Sequence, residues 1–559
     1  MSRFTDMTAA SAASSAKGIV YWEQHGATRR SWGDVRRRAE RMAADLMAEG
    51  LRPGAPVALL VAEPLLVASA VQAIWLAGGS VTMLQQPTGR TDLAQWSERT
   101  VRALDMIGSQ LVLLGPVFEP VAPELASRGI RFRMLADLDD AAPDTTPGAA
   151  PGALPDAWPP PPSEDDTALL QLTSGSTAEP KAVRITHGNL LANIMTLADT
   201  CTWDAEEEVL MSWLPLFHDM GMIVFLLAPM MFGLEVVTIS PADFLADPMV
   251  WPRLLSEYQA TITGGPNFGY ALAARAMARA GDAERLDLSA LRIATCGAEP
   301  IDEAAIRRFT EAGARFSLSA GCFMAAYGMA EATVAVSISE QSRGLKVDVV
   351  DATQLEEAGR AVPCRPGDGA RTLARLGAPL PGLEVGVIDQ AGTPAGERVV
   401  GELRVRGTSV SPGYLTADGP LATVDAHGWF RTGDLGYLAD GEVVVCGRIK
   451  DVIIMGGRNI YPTDIERVVT AVDGVRAGNA VAIRLDVGTG RERFAVAAES
   501  KRAGDEEAER LLAKEITARV TDEIGARPAE VLILPPGSLP KTSSGKLQRA
   551  AAARLLPLP

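Results

Sequence analysis

The chain has 559 residues, too long for one ordinary domain, so two to four domains or subdomains are expected. With 47% hydrophobic and 22% charged residues the composition is globular, which excludes a disordered chain. The 53 Lys plus Arg against 69 Asp plus Glu leave a net charge of −16, which argues against a general nucleic-acid binder but allows a local basic pocket.

Residues 1–16 are mainly Ser, Ala and Thr, carry no signal-peptide h-region and read as a disordered tail. Trp32, Val35, Ala39, Met42 and Leu46 recur at helical spacing, and Arg36, Arg37, Arg38 and Arg41 read as a solvated face of that helix. A strand at 57–61 precedes an apolar helix to about Leu76, which Gly78 and Gly79 stop. Strands follow near Val81 and at 111–114. This alternation predicts a layered α/β domain with largely parallel sheets. Residues 141–162, rich in Pro, Ala and Asp, read as an exposed loop.

The apolar stretch 222–234 contains Pro229, and Glu235 follows it. It falls short of the roughly 20 residues a bilayer crossing needs, so it reads as a buried helix and strand and no membrane span is expected. Beyond about Gly377 come short strands at 385–388 and 402–405. Another at 442–445 follows the turn dipeptide Asp440-Gly441. After Lys450 a small α/β unit begins. Pro462 opens a helix with Ile465, Val468, Val469 and Val472 on one face and acidic Asp464 and Glu466 in its first turn. A boundary is expected near 448–451, and no internal repeat is found.

The five cysteines (201, 296, 322, 364, 446) and four histidines (25, 187, 218, 427) are scattered, without CxxC spacing. Neither a zinc site nor a disulfide framework is expected, and reduced thiols in a cytoplasm fit the pattern.

Between strand-like runs at 168–172 and 183–186 lies Thr173-Ser174-Gly175-Ser176-Thr177-Ala178-Glu179-Pro180-Lys181. Hydroxyls, a glycine and a lysine in one short loop can wrap a polyphosphate through backbone N–H groups, side-chain donors and a mobile positive charge. It is neither a Walker loop nor a GxSxG elbow. Alone, such a loop is more often a plain turn.

It is followed by Gly297-Ala298-Glu299-Pro300, Tyr327-Gly328-Met329-Ala330-Glu331, Thr432-Gly433-Asp434, Gly447-Arg448-Ile449-Lys450-Asp451 and Pro540-Lys541-Thr542-Ser543-Ser544-Gly545-Lys546. These motifs, in this order over about residues 17–555, resemble the adenylate-forming superfamily of acyl-CoA synthetases, peptide-synthetase adenylation domains and luciferases. Trp213-Leu214-Pro215-Leu216-Phe217-His218-Asp219-Met220-Gly221, Gly264-Gly265-Pro266-Asn267-Phe268 and the Ala332-Thr333 ending are most similar to fatty acyl-AMP ligases. So is the long segment between Thr333 and Gly377, which resembles an insertion that in that family restrains the C-terminal domain and disfavours CoA.

The resemblance implies an α/β fold: a large N-terminal domain of layered sheets over 17–449 and a small mobile C-terminal lid over 450–559. It implies ATP and Mg²⁺ as cofactors, a carboxylic acid as substrate, and an acyl carrier protein or CoA as thiol acceptor. Thr173, Ser174, Gly175, Ser176, Thr177 and Lys181 would hold the ATP phosphates, and Glu331 would bind Mg²⁺ with Thr177 nearby. Gly297, Ala298, Glu299 and Pro300 would pack on adenine, with Tyr327, Gly328 and Met329 beside it. Asp434 would accept from the ribose hydroxyls, assisted by Arg448. His218 would sit near the carboxylate, and Lys546 would reach the reacting oxygens. Lys450 matches the hinge. Phe217, Met220, Ile223, Phe268 and Met324 are candidates for an apolar acyl pocket. Glu331, Arg448, His218 and Lys546 each have a blander reading as cap, core or surface group, which the motif context outweighs; the five pocket candidates are more often plain core than substrate wall.

Ala178 and Ala182 stand where relatives usually have Gly, and Ala330 where many have Thr, so slower or weaker ATP use is expected. Three readings follow: a ligase loading an acyl carrier protein, an acyl-CoA synthetase, or a silent homologue that binds an adenylate without making it. The long segment after Thr333 favours the first. Intact Lys181, Glu331, Asp434, Arg448 and Lys546 weigh against the third.

Overall fold

The computed structural model describes residues 2–87, 92–139, 158–173, 180–281, 283–367, 369–389, 391–489, 492–541 and 547–556. Two 8-stranded sheets form the body of the N-terminal part. In one, strands Gly18–Glu23, Glu235–Thr238, Val209–Ser212, Ile262–Gly264, Ile293–Cys296 and Phe323–Tyr327 pair in parallel, with antiparallel edges at Gly26–Ser31 and Ser337–Ile338. The other pairs Arg131–Met134, Leu111–Leu114, Pro56–Leu60, Ser80–Met83 and Thr167–Thr173 in parallel. It continues antiparallel through Lys181–Thr186, Gly413–Thr416 and Gly419–Ala422.

The parallel strands are short continuous apolar runs because helices cover both faces. Leu111–Leu114 and Ser80–Met83 are buried at every position. The helix Pro64–Leu76 is apolar all round for the same reason. It packs on Ser80–Met83 of one sheet and Gly18–Glu23 of the other, so it has no wet face. Beside it Trp32–Ala48 starts at a capping box between Ser31 and Asp34, and its Arg36 and Arg37 pair with nearby carboxylates on the solvated face.

The N-terminal segment departs from expectation. Residues Arg3–Ser14 form a helix, not a disordered tail. Phe4 is fully buried, edge-on to Trp75 at 5.4 Å. Ser11 donates to the Met230 carbonyl and Ser15 to that of Gly233. Small residues let this helix approach the neighbouring Ala228–Phe232 helix closely, and one aromatic anchors it. The apolar stretch after 220 is a π-helix, Met220–Leu227, then Ala228–Phe232 and the strand Glu235–Thr238.

An antiparallel 4-stranded sheet follows: Leu383–Ile388, Gly401–Gly407, Phe430–Ala439 and Glu442–Arg448. Asp440 and Gly441, both at positive φ, make its last turn. The chain then passes into a smaller α/β unit. Its sheet of Val475–Leu485, Arg493–Ser500 and Glu530–Leu534 carries the helices Pro462–Thr470 and Glu506–Ile524 over its own core. Within the segment 334–377 lies a hairpin, Val347–Asp351 with Ala370–Ala374, and the helix Ala352–Ala358.

Candidate functional site

A large cleft between the N-terminal body and the C-terminal unit gathers most of the singled-out residues. At one wall, Thr173 pairs directly opposite Lys181, so residues 174–179 connect the two strands. Ser174, Gly175, Ser176 and Thr177 lie outside the described residues, as does Lys546. The Lys181 ammonium sits over the Tyr414 ring, 5.8 Å from its centroid. The Tyr414 hydroxyl donates a 2.6 Å hydrogen bond to Oε1 of Glu331. The Glu331 carboxylate is a hard oxygen ligand of the kind a divalent cation such as Mg²⁺ takes, and Lys181 supplies a separate positive charge on the other side of the Tyr414 ring.

The backbone after Glu331 is strained. Thr333, fully buried, adopts φ 71° and ψ −66°, and Val334 N–H donates to the Ala332 carbonyl at 2.9 Å. This is a γ-turn of the positive-φ kind, rare for a β-branched residue. Its surroundings hold it: Thr333 Oγ1 donates to Ser409 O at 2.7 Å and Ser411 N–H to Glu331 O at 2.8 Å. Gly328 is required by the same turn, because a Cβ there would overlap the Val334 carbonyl oxygen.

A second cluster in the cleft centres on Asp434, which is 5% exposed. Tyr327 donates to its Oδ2 at 2.7 Å and Arg448 Nε to its Oδ1 at 2.9 Å. Burial and the adjacent carboxylate hold the Tyr327 phenol well above its ordinary pKa, so it remains a donor. Thr432 Oγ1 accepts from the Asp434 amide at 3.0 Å and fixes the strand locally. Opposite lie Gly297, Ala298, Glu299 and Pro300, with Ala298 at φ 68°. Glu299 does more than line this wall, since its carboxylate accepts from Asn267 N–H at 2.9 Å. Asn267 Nδ2 in turn donates to Pro300 O at 2.7 Å.

His218 also lines the cleft, its Nδ1 2.7 Å from Oδ1 of Asp219. Gln171 Nε2 donates to Phe217 O at 2.8 Å and ties this loop to the strand Thr167–Thr173. Phe217, Met220 and Phe268 line the cleft as expected, joined by Val224 and Phe225. Ile223 and Met324 do not: both are fully buried in the main core and are corrected to packing residues. The π-helix explains Ile223, because its wider turn presents 220, 224 and 225 together and rotates 223 inward.

The C-terminal unit faces the cleft with its Pro540-Lys541 segment, and Lys541 is near enough to Glu299 to feel its charge. Lys450 lies in the turn after Arg448, and its carbonyl accepts from Arg484 at 3.2 Å. The segment 334–377 grips this unit from the other side. Arg371 pairs with Asp464 at 2.8 Å, lies 4.0 Å from the Tyr461 ring centroid and donates to Cys446 O. Glu356 pairs with Arg458 at 2.6 Å. Val350, Leu355 and Leu373 share a core with Val452 and Tyr461.

Sequence reasoning assigned no role to Tyr414, Gln171, Asn267, Arg371 or Glu356. Two of them carried a signal: Tyr414, an aromatic directly after Ser-Pro-Gly, and Asn267, which sits in the Gly264-Gly265-Pro266-Asn267-Phe268 motif.

The chain matches the AMP-binding enzyme family over residues 8–415 and the AMP-binding enzyme C-terminal domain over 457–554. It is 46% identical to a putative ligase, Rv1013, of Mycobacterium tuberculosis over 557 residues, covering 100% of both chains. It is 35% identical to the long-chain-fatty-acid–AMP ligase FadD26 of Mycobacterium marinum over 414 residues, 70% of each chain. A solved structure from a study of fatty acyl-adenylate ligases of E. coli and L. pneumophila superposes with a TM-score of 0.89 at 32% identity, covering 99% of this chain and 98% of that one. A fatty acyl-adenylate ligase of L. pneumophila, solved with acyl adenylate and pyrophosphate, gives 0.73 at 28% identity over 100% and 97%.

Proposed function

The chain belongs to the AMP-binding enzyme family, and from that membership we propose that it activates a fatty acid to acyl-AMP and loads it on the phosphopantetheine thiol of an acyl carrier protein. It is an AMP-forming ligase that uses ATP. In the first half-reaction the carboxylate attacks the ATP α-phosphate and pyrophosphate leaves. In the second, the thiol attacks the mixed anhydride and AMP leaves. Both partners of the first step are anionic, so charge neutralisation and positioning carry it more than a nucleophile does.

Lys181, with Thr173 and the loop residues Ser174, Gly175, Ser176 and Thr177, holds the phosphates in this reading. Glu331 and Thr177 hold Mg²⁺, which when bound supplies further positive charge at the phosphates. Asp434, aligned by Tyr327 and Arg448, accepts from the ribose hydroxyls. The Gly297, Ala298, Glu299 and Pro300 wall, with Gly328 and Met329, borders adenine. His218 meets the acid beside the apolar surface of Phe217, Met220 and Phe268, where each buried CH₂ contributes roughly 0.8 kcal/mol. Lys546 reaches the reacting oxygens during adenylation. The C-terminal unit from 450 onward then turns about Lys450 and admits the thiol.

The observation that favours a carrier protein over CoA is the grip of segment 334–377 on the C-terminal unit through Arg371–Asp464 and Glu356–Arg458. Turning the unit breaks these contacts; a carrier protein docked on it can offset that cost with its own interface, whereas free CoA brings no protein surface to do so. The alternative, an acyl-CoA synthetase, draws support from a 35% identical putative acyl-CoA synthetase of Caulobacter vibrioides. Incubation with ATP, Mg²⁺ and a panel of acids separates the two when run with CoA, with phosphopantetheinylated carrier protein and with neither. Acyl-AMP that persists with CoA but is consumed by the carrier is the expected result. Efficient acyl-CoA formation overturns the carrier assignment. As to location, no described helix is long and apolar enough to cross a membrane.

A further inference from the structure

Tyr414 stands between the two charged groups at the phosphate wall. Its ring lies under the Lys181 ammonium and its hydroxyl holds Glu331 Oε1 at 2.6 Å. The strand Gly413–Thr416 is the antiparallel neighbour of Lys181–Thr186, with Tyr414 opposite Val183. The chain just before it is fastened to both partners. Ser411 N–H donates to Glu331 O, and Ser411 Oγ donates to Arg184 O at 2.7 Å. Tyr414 thus occupies a fixed backbone position relative to the lysine strand and to the strained turn that carries Glu331.

We propose that Tyr414 is a positioning residue for adenylation, its hydroxyl orienting Glu331 toward the metal and its ring orienting Lys181 toward the phosphates. The proposal rests on the adenylation reading above. One oxygen of the Glu331 carboxylate is occupied by the phenol, so the other is presented in a single orientation. Loss of the hydroxyl frees the carboxylate to rotate and weakens its hold on a divalent cation. A phenylalanine retains the ring under Lys181, whereas a leucine removes it.

The test is direct binding of Mn²⁺, followed by electron paramagnetic resonance, to the full-length protein with a non-hydrolysable ATP analogue. Analogue affinity is measured in parallel in chelator without metal. Tyr414→Phe is expected to weaken Mn²⁺ binding about tenfold, the scale of one hydrogen bond to a charged group, and to leave metal-free analogue affinity unchanged. Tyr414→Leu is expected to weaken both. In a double-mutant cycle, Tyr414→Phe is expected to add no further loss on a Glu331→Gln background, because its effect passes through that carboxylate. Wild-type Mn²⁺ affinity in Tyr414→Phe, or an equal loss with and without metal, overturns the proposal. So does full additivity in the cycle. Absence of acid-dependent pyrophosphate exchange in the wild-type protein counts against the function and not against the Tyr414 assignment, which the binding measurements decide separately.

Discussion

Tyr327 and Asp434, 107 positions apart in the chain, are joined by a 2.7 Å hydrogen bond that, with Arg448 on the other carboxylate oxygen, fixes this acid in the wall of the cleft. The three form a preset acceptor that costs little reorganisation when a diol arrives. Asp434→Ala is expected to raise the KM for ATP by about ten- to a hundredfold, the scale of one or two hydrogen bonds to a charged group, with the KM for the acid nearly unchanged. ATP–pyrophosphate exchange measures both, and an unaltered ATP dependence would remove Asp434 from the site.

A methyl group at Gly328 would collide with the Val334 carbonyl oxygen, which is backbone and cannot swing aside. Gly328→Ala is therefore expected to displace the turn that holds Thr333 and, with it, Glu331. Exchange activity should fall at least about tenfold even where the melting temperature drops only modestly, given that overpacking costs about 1–3 kcal/mol. Wild-type activity in a soluble Gly328→Ala protein contradicts the assignment of this turn.

His187 is 1% exposed between Phe4 and Trp75, and burial lowers its pKa from 6.5 to about 4. The unfolded chain then binds a proton between those values that the folded chain refuses. Stability is full above pH 6.5 and is lost as pH falls toward about 4, by up to about 3 kcal/mol. His187→Phe is expected to flatten this part of the pH–stability profile obtained from urea melts. A wild-type slope in the variant would show that other groups dominate the window.

The grip on the C-terminal unit leads to paired expectations. Glu356→Ala removes one ion pair across the seam. It should leave adenylation intact while increasing acyl transfer to CoA, read as acyl-CoA by mass spectrometry. Lys450→Pro stiffens the turn and should spare adenylation while crippling transfer to any thiol. Equal loss of both half-reactions in Lys450→Pro would deny it the hinge role.

Much of this was legible from short patterns. Continuous apolar runs such as Leu111–Leu114 announced buried parallel strands, and the Asp440-Gly441 dipeptide marked its hairpin. The resemblance put Arg448 beside Asp434, and the two do meet, whereas the hydrogen bond from Tyr327, expected beside adenine, to Asp434 was not foreseen. What escaped depends on contacts between distant segments. The Ser/Ala/Thr-rich start gave no amphipathic signal, since one phenylalanine and close backbone approach hold the helix Arg3–Ser14 in place. Ile223 was misplaced because an α-helical or strand period says nothing about a π-turn. Arg371 and Glu356 sit in no motif, and only the fold brings Asp464 and Arg458 to them.

The antiparallel strand Gly413–Thr416 covers the sheet edge of Lys181–Thr186, and Asp434 and Arg448 follow it in the chain. During synthesis the pair of strands Thr167–Thr173 and Lys181–Thr186 therefore leaves the ribosome long before Gly413–Thr416, Asp434 and Arg448. Its exposed edge waits without a neighbour while more than two hundred further residues are made, and edges of this kind recruit wrong partners. Slow translation between 186 and 448 should accordingly lower the yield of soluble enzyme more than equal slowing downstream, where only the smaller unit remains to be added.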